Sequence, residues 1–180
     1  MNQKRTKEIS KLCSYLLRHK PEVAHLTIDE NGWVAVDQLL DNCAKYQFEF
    51  SLEELDIAVR TNNKKRFAFN DDKTKIRANQ GHSIDVNVKL KPTVPPEFLY
   101  HGTAEQNLES IMQNGIKKRN RLHVHLSADI ETAKNVGTRH GKPVIFKIAA
   151  LTMHHDGKPF YISENGVWLT DFIEPKYISI

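Results

Sequence analysis

Cysteine is scarce in this 180-residue sequence, which contains only Cys13 and Cys43. Both lie among apolar residues at helical spacing, a pattern that favours buried, reduced thiols over a disulfide. A disulfide-stabilised secreted domain is therefore not expected. We predict a protein of a reducing, intracellular compartment, with the cytoplasm as its location.

Long hydrophobic runs are absent as well. No segment approaches the roughly 20 apolar residues that a transmembrane helix needs, and the opening MNQKRTKEIS lacks the apolar centre of a signal peptide. We therefore expect no membrane partner. The glycines, of which there are 8, form no phosphate loop of the Walker or Rossmann type, so any nucleotide must bind in another way.

The composition that remains is that of a folded, mildly basic protein. Hydrophobic residues make up 39% and charged residues 27%, which is enough apolar material for a core. The net charge of +4 permits nucleic-acid binding without requiring it. The proline-bearing stretch KLKPTVPPEF reads as a linker between two lobes, residues 1–91 and 92–180, in an α+β chain.

The first lobe has the pattern of helices followed by a hairpin. Apolar residues recur at helical spacing in residues 7–17 and again in 36–43, and Ser51 with Glu54 forms a capping box before a third helix. RFAF and KTKIRA then read as two strands joined by an Asn/Asp turn. This order is typical of the winged helix, a fold often used on nucleic acid, although that link is an analogy.

The second lobe is predicted to be rich in strands. EFLYHGT, LHVHLS, PVIFKIAAL, HHDGKPFYIS and ENGVWLT read as strands, the last two with DG and NG turns. One helix, AEQNLESIMQNGI, should place Leu108, Ile111 and Met112 inward and end at Gly115.

The segment IRANQGHS is the first candidate site. Arg77 and His82 flank Asn79, Gln80 and Gly81, so cationic groups and amide donors lie within one short turn. Guanidinium, imidazolium and amide N–H groups suit a phosphate dianion because each can donate a charge-assisted hydrogen bond. The alternative is a solvated loop with no ligand.

The segment LLRHKPE is the second candidate. Arg18 and His19 directly follow the apolar face of the first predicted helix. They could act on a ligand, or they could form an ordinary basic last turn that complements the helix dipole.

The segment LYHGT of the second lobe carries the third set of candidates. In LYHGT, His101, Gly102 and Thr103 stand at a strand end, where glycine would allow a ligand to approach the backbone.

The tryptophans Trp33 and Trp168 are assigned to the core or to an interface between lobes. His154 and His155 are expected to face solvent, without a role; that pair is not a candidate.

RLHVHLS places polar side chains on one face of a strand. Arg121, His123, His125 and Ser127 alternate along it. Two histidines could begin a zinc site, but further ligands are lacking nearby, so we predict no metal and a polar face lining a cleft. Ser127 also stands where it could cap the following helix.

Together these segments resemble the NAD-dependent tRNA (RNA) 2′-phosphotransferase family. LCSYLLRHKPE, GWVAVDQLL, IRANQGHS, LYHGT, HVHLS and FYISENGVWLT occur in the family's order over almost the whole chain. The resemblance implies an N-terminal winged-helix RNA-binding lobe and a C-terminal NAD-binding lobe of the ADP-ribosyltransferase type.

The resemblance also implies roles for particular residues. The family's catalytic group of one histidine and three arginines maps onto His19, Arg18, Arg77 and Arg121, with Arg119 as the alternative to Arg121. The positions implied to bind NAD are His101, Gly102, Thr103, His125, Ser127 and Val167. The positions implied to contact the RNA phosphate are Gln80 and His82. Val167 stands where protein-modifying relatives of the superfamily often carry glutamate, as suits a substrate whose phosphate is its own nucleophile.

The implied reaction consumes NAD as a co-substrate. An internal RNA 2′-phosphate, as on spliced tRNA, would displace nicotinamide to give an RNA-2′-phospho-ADP-ribose intermediate. ADP-ribose 1″,2″-cyclic phosphate and 2′-OH RNA would follow, and a monomer would suffice. His19 could protonate the leaving RNA oxygen or only position the phosphate. The rival readings are an ADP-ribosyltransferase acting on protein or nucleic acid and a non-enzymatic winged-helix binding module.

Overall fold

The computed structural model describes residues 2–180, apart from the side chain of His140. The chain forms two compact units, Met1–Lys89 and Leu90–Ile180. Helices and several small antiparallel sheets make it a mixed α/β protein. Within the described residues, every helix is too short or too polar to cross a membrane.

The first unit consists of helices packed with a small sheet. Its elements in chain order are α1 (Gln3–Arg18), a 3₁₀ helix (Pro21–Ala24), β1 (Val34–Ala35), α2 (Val36–Lys45), α3 (Leu52–Arg60), β2 (Phe67–Phe69) and β3 (Lys75–Ala78). The strands lie side by side in the order β1-β3-β2, with antiparallel pairing.

Local sequence signals explain where α1 and α3 begin. The side chain of Asn2 accepts a hydrogen bond from the N–H of Arg5 at the start of α1. At α3, the predicted capping box is confirmed: Ser51 Oγ accepts from the N–H of Glu54, and the Glu54 carboxylate accepts from the N–H of Ser51.

The buried face of α1 is one part of the core of the first unit. Ile9, Cys13, Leu16 and Leu17 are all buried there. Cys13 and Cys43 are buried free thiols, as predicted, and burial raises their pKa values to about 12 and about 11 respectively. Neither thiol is therefore a reactive nucleophile near neutral pH.

The predicted hairpin of the first unit is confirmed. Strands β2 and β3 pair antiparallel, with Arg77 opposite Ala68. Because β3 also pairs with β1 on its other side, Arg77 projects from the central strand of the sheet. A central strand has hydrogen bonds on both sides, so the backbone that carries this arginine is firmly held.

The second unit has short strands and short helices. Its elements are β4 (Lys91–Pro92), β5 (Leu99–Ala104), a 3₁₀ helix (Glu105–Asn107), α4 (Leu108–Asn114), β6 (Ile116–Lys117), β7 (Val124–Leu126), α5 (Ile130–Gly137), a 3₁₀ helix (Thr138–His140), β8 (Pro143–Ile148), α6 (Ala150–His155), β9 (Tyr161–Ile162), β10 (Trp168–Thr170), β11 (Phe172–Ile173), a 3₁₀ helix (Pro175–Tyr177) and β12 (Ile178–Ser179). Antiparallel pairing gives the orders β4-β9-β10-β7, β12-β8-β5 and β11-β6.

Two predictions for the second unit's strands are wrong. Part of the predicted linker is the edge strand β4, where Pro92 is tolerated because an edge strand has one side without ladder bonds. His154 and His155 end helix α6 and do not begin a strand, and His154 is half-buried. The DG turn that follows lies between this helix and β9.

Two helix predictions also need correction. Ser127 does not cap α5, because the chain continues to Asp129, whose carboxylate accepts from the N–H of Thr132. In α4, Ile111 is buried as expected, but Met112 is 40% exposed.

Candidate functional site

In the first unit, the end of α1 and the loop after β3 are joined by hydrogen bonds. The backbone O of Arg18 accepts from the N–H of Ser83 at 2.9 Å, and the Oγ of Ser83 lies 2.9 Å from Nδ1 of His19. The N–H of His19 also closes the helix by donating to the O of Tyr15 at 3.1 Å. Ser83 therefore fixes both the backbone beside Arg18 and the ring of His19.

Gly81 lets this loop approach Arg18 closely. Its φ of +87° lies in the left-handed region that glycine adopts without strain. A Cβ built at this position would lie 3.7 Å from Nη1 of Arg18. A larger residue would strain the loop because of this φ, while its Cβ would make ordinary van der Waals contact with the guanidinium.

Aromatic rings lie against both Arg18 and Arg77. Cζ of Arg77 is 4.5 Å from the ring centroid of Trp33, and Cζ of Arg18 is 5.9 Å from that of Phe67. A ring face attracts a guanidinium and restricts its plane. The sequence analysis assigned Trp33 to a core or an interface and missed this contact; the GW dipeptide gave no signal of it.

His82 lies next to both arginines and is 2% exposed. Its burial, with the charges of Arg18, His19 and Arg77 nearby, lowers its pKa from 6.5 to about 4. Within the described part of the chain, its Nε2 makes no hydrogen bond. The imidazole is therefore neutral at pH 7, and the solvated-loop alternative does not describe this residue.

The amide donors of the loop are used differently from the prediction. Asn79 is buried, and its Nδ2 donates to the O of Lys65 at 2.8 Å while its N–H donates to the O of Arg66. Asn79 therefore anchors the loop to the segment just before β2 and does not supply an exposed donor. Gln80 is half-buried beside it.

The first unit thus brings Arg18, His19, Arg77 and His82 together. Ser83 joins Arg18 to His19, and Gly81 lies beside the Arg18 guanidinium. The charges of Arg18, His19 and Arg77 are also close enough to His82 to lower its pKa. Two permanent cations held by rings, beside imidazoles, form a site with positive potential. Such a site favours a small, multiply charged oxyanion.

In the second unit, His101 on β5 is fixed by a neighbouring strand. Its Nδ1–H donates to the backbone O of His125 on β7 at 3.0 Å. Burial lowers the pKa of His101, the charge of Arg119 lowers it further, and the hydrogen bond opposes both. A neutral ring that donates through Nδ1 keeps its Nε2 as an acceptor, suited to a hydroxyl group.

Strand pairing brings other predicted residues close to His101. Ser127 exchanges backbone hydrogen bonds with Tyr100, at 2.8 and 2.9 Å. Trp168 pairs with Leu126, and continuing that register by one residue sets Val167 opposite Ser127. The HGT, HVHLS and NGVWL segments therefore meet along β5, β7 and β10.

Arg121 lies outside the strand that was predicted to carry it. Strand β7 begins at Val124, so Arg121 and His123 belong to the preceding bend, and the prediction that four side chains share one strand face is wrong. Arg121 nevertheless reaches the strand, since its Nη1 lies 3.4 Å from Nδ1 of His125. His123 instead packs edge-on against Tyr161.

Arg119, the alternative to Arg121, is linked to the HGT segment. Its Nη2 lies 3.4 Å from Oδ1 of Asn107, whose Nδ2 donates to Oγ1 of Thr103 at 2.9 Å. Asn107 is a residue that the sequence analysis missed, because it sits inside a segment that reads as plain helix. Arg119 and Arg121 thus contact different partners.

Gly102 is used for packing against a helix. A Cβ placed on it would lie 1.7 Å from the backbone O of Ala133 in α5, so only glycine fits. The prediction was that glycine here lets a ligand approach the backbone closely. On the side where a Cβ would stand, it is helix α5 that approaches the backbone. A contact of Gly102 with NAD stays a prediction.

Comparison with known proteins gives a consistent family. Residues 4–172 match the model of the RNA 2′-phosphotransferase, Tpt1 / KptA family. A probable RNA 2′-phosphotransferase of Fusobacterium nucleatum is 55% identical over 172 residues, which cover 95% of this chain and 96% of that protein. Proteins with the same name from Flavobacterium johnsoniae and Trichormus variabilis are 53% and 51% identical over 178 residues, covering 99% of this chain and 98% of each relative.

The comparisons define the class of protein as a transferase of the RNA 2′-phosphotransferase kind. The chain belongs to the RNA 2′-phosphotransferase family. The family predicted from the six segments is thereby confirmed.

Proposed function

We propose that this protein transfers an internal RNA 2′-phosphate to NAD, giving 2′-OH RNA, ADP-ribose 1″,2″-cyclic phosphate and nicotinamide. The observation that carries the proposal is the cluster of Arg18, His19, Arg77 and His82 in one neighbourhood of the first unit. A phosphate monoester carries close to two negative charges at pH 7, which the two guanidinium groups offset.

The side chains of this cluster are held in place by contacts within the first unit. Trp33 and Phe67 hold the two guanidinium groups, and Ser83 holds the ring of His19. Groups fixed in advance pay little reorganisation cost when charge builds up on phosphoryl oxygens. His19 completes the group that would contact the phosphate, and Gln80 lies at its edge.

The second unit has donors and acceptors that fit NAD. The Nε2 acceptor of neutral His101 suits a ribose hydroxyl, and Arg121 beside His125 suits a pyrophosphate. Thr103, Ser127 and Val167 lie on or beside the same strands, and Gly102 keeps β5 against α5. We propose these residues, with His125, as the NAD-binding set.

NAD, when bound, supplies an electrophilic ribose carbon and nicotinamide as a leaving group. The chain's own task is then to hold two anionic substrates in line and to offset their repulsion, which is an orientation task. We assign Arg121 to this role with Arg18 and Arg77. Arg119 is engaged with Asn107 and helps to keep His101 neutral.

The same proposal includes the fold of each unit, the oligomeric state, the cellular location and the kind of RNA. The order of three helices followed by a hairpin in the first unit supports a winged helix. The three segments that meet on β5, β7 and β10 support an ADP-ribosyltransferase-like second unit. We propose a monomeric cytoplasmic enzyme acting on RNA such as spliced tRNA.

A 2′-phosphorylated oligonucleotide incubated with and without NAD tests the function. We expect conversion to the 2′-OH oligonucleotide only with NAD, together with one equivalent each of nicotinamide and the cyclic phosphate. Release of inorganic phosphate without NAD would contradict the proposal. Transfer of ADP-ribose to protein acceptors, with the 2′-phosphate left intact, would support the ADP-ribosyltransferase rival.

Replacing Arg77 tests the phosphate site directly. Because Arg77 would contact the charge that develops in the reaction, Arg77→Ala should reduce kcat/KM at least about 100-fold. The matched control is Arg60→Ala on α3, whose side chain is 70% exposed and pairs only weakly with Asp56. An Arg77→Ala protein with wild-type activity and an unchanged circular dichroism spectrum would remove Arg77 from the site.

A further inference from the structure

The exposed face of α1 carries a row of lysines that ends at the proposed phosphate site. Lys4, Lys7, Lys11 and Tyr15 follow one another at spacings of three or four residues, and all four are exposed. Residues at such spacings lie one above another on a helix. Arg18 comes three residues after Tyr15, at the last position of α1, and the whole row spans about 21 Å.

The position of these lysines is unfavourable for the helix itself. The first turn of α1 has no acidic residue and carries Lys4, although the positive end of a helix dipole favours carboxylates there. Lys7 and Lys11 are like charges one turn apart, which also disfavours the helix. Glu8, half-buried at the edge of this face, makes no ion pair with them within the described residues. A basic row that weakens its own helix points to an anionic ligand.

The other helices of the unit have a different charge. On α2 the exposed Asp37 and Asp41 outnumber Lys45, and on α3 three carboxylates, Glu53, Glu54 and Asp56, outnumber Arg60. A polyanion would therefore be repelled from those faces and attracted to α1. This pattern differs from the usual helix-turn-helix arrangement, in which a later helix lies on the nucleic acid.

We propose that the RNA strand flanking the 2′-phosphate lies along this face of α1, defined by Lys4, Lys7, Lys11 and Tyr15. The lysines bind successive backbone phosphates without reading sequence, and Tyr15, which is 45% exposed, stacks on a base. This inference rests on the proposed function for the identity of the ligand. It adds a path for the RNA beyond the phosphate that reacts.

Neutralising two lysines tests the path. In Lys7→Gln/Lys11→Gln, affinity for an unmodified RNA decamer, measured by fluorescence anisotropy, should fall about tenfold at 0.1 M salt. The slope of log K against log salt should become shallower by about 1.4, because each phosphate contact on a single strand contributes about 0.7. The control Lys45→Gln/Lys73→Gln removes the same charge from α2 and from the hairpin turn, and should leave both quantities unchanged.

A substrate series separates the path from the reaction. For a 2′-phosphorylated decamer, KM of the double variant should rise about tenfold with kcat unchanged, while a 2′-phosphorylated dinucleotide should react as with the wild type. Tyr15→Ala should also weaken decamer binding, and Tyr15→Phe should restore it. Equal losses on dinucleotide and decamer would overturn the proposal.

Other outcomes would overturn the RNA path along α1 and leave the proposed function intact. Failure of the proposed function, in turn, would leave the RNA path open to test. Unchanged decamer binding, or a loss confined to Lys64→Gln/Lys65→Gln, would place the RNA elsewhere. Lysine-dependent binding to phosphatidylserine vesicles, with RNA binding intact, would assign the face to a membrane surface. If the wild type does not consume NAD, the proposed function fails, yet the anisotropy measurement with unmodified RNA still decides the path.

Discussion

At the scale of single residues, the proposed phosphate site of the first unit depends on groups outside the proposed contact set. Trp33 was assigned to a core or an interface from the sequence, yet its ring lies 4.5 Å from Cζ of Arg77. A guanidinium has many rotamers, and a ring face that restricts them lowers the entropy lost when an anion binds. Trp33 is therefore a positioning residue for Arg77.

Trp33→Leu should reduce kcat/KM about tenfold, the size expected for loss of a partly buried cation–π contact. Trp33→Phe keeps a ring face and should recover most of the activity. The measurement is steady-state kinetics with a 2′-phosphorylated oligonucleotide, beside a urea unfolding curve. If Trp33→Phe were as inactive as Trp33→Leu at equal stability, the contact with Arg77 would not be the reason.

His82 links the same cluster to the pH dependence of stability. The folded protein keeps this imidazole neutral down to about pH 4, while the unfolded chain protonates it near pH 6.5. Between those values the unfolded state binds more protons, so the free energy of unfolding falls as the pH is lowered. The loss from this residue is complete below the folded pKa, and it amounts to about 3 kcal/mol.

Urea unfolding at pH 7 and pH 4.5 checks this prediction. His82→Gln should lose much less stability between the two pH values than the wild type does. His155→Gln, which changes an exposed histidine at the end of α6, is the control and should follow the wild type. Parallel pH curves for wild type and His82→Gln would show that His82 titrates normally in the folded protein.

At the scale of elements, the second unit depends on close contact between α5 and β5. A Cβ on Gly102 would lie 1.7 Å from the O of Ala133, and one on Gly137 would lie 2.9 Å from the O of Thr103. Both contacts are with backbone, which cannot move without shifting the whole helix. Gly102 in β5 and Gly137 in α5 thus allow the helix to pack closely against the strand that carries His101.

Gly102→Ala should lower the free energy of unfolding by roughly 3 kcal/mol or more, because overpacking against backbone displaces α5. The control is Gly157→Asn, at a turn where a Cβ would meet nothing within 4 Å and where asparagine tolerates the φ of +82°. Thermal unfolding of both variants supplies the comparison. A Gly102→Ala protein as stable as Gly157→Asn would contradict the packing role.

Sequence patterns predicted elements well where the signal was local. The capping box at Ser51 and the RFAF–KTKIRA hairpin depend on neighbours in the chain, and both were predicted correctly. Met112 was predicted inward but lies on the exposed side of α4, and Ser127 was predicted as a cap although the N-cap of α5 is Asp129. Trp33 contacts Arg77, which is distant in sequence, so no spacing rule indicates the contact. Asn107 lies in a segment that reads as an ordinary helix, so its contacts with Thr103 and Arg119 gave no signal either.

At the scale of the whole molecule, attraction for RNA has to come from local clusters. The net charge is only +4, and acidic residues on α2 and α3 oppose the basic ones on α1. Electrostatic attraction therefore involves few phosphates, and each contact releases counterions. RNA binding should be salt-dependent, but less steeply than for a strongly basic protein.

The prediction is a slope of log K against log salt between about −2 and −3.5, which corresponds to about three to five phosphates on single-stranded RNA. Anisotropy titrations of an RNA decamer from 50 to 400 mM salt measure it. Binding of NAD, which has a single pyrophosphate, should vary much less over the same range and serves as the internal comparison. An RNA affinity that does not change with salt would mean that apolar and base contacts dominate, and that arginine and lysine do not lead recognition.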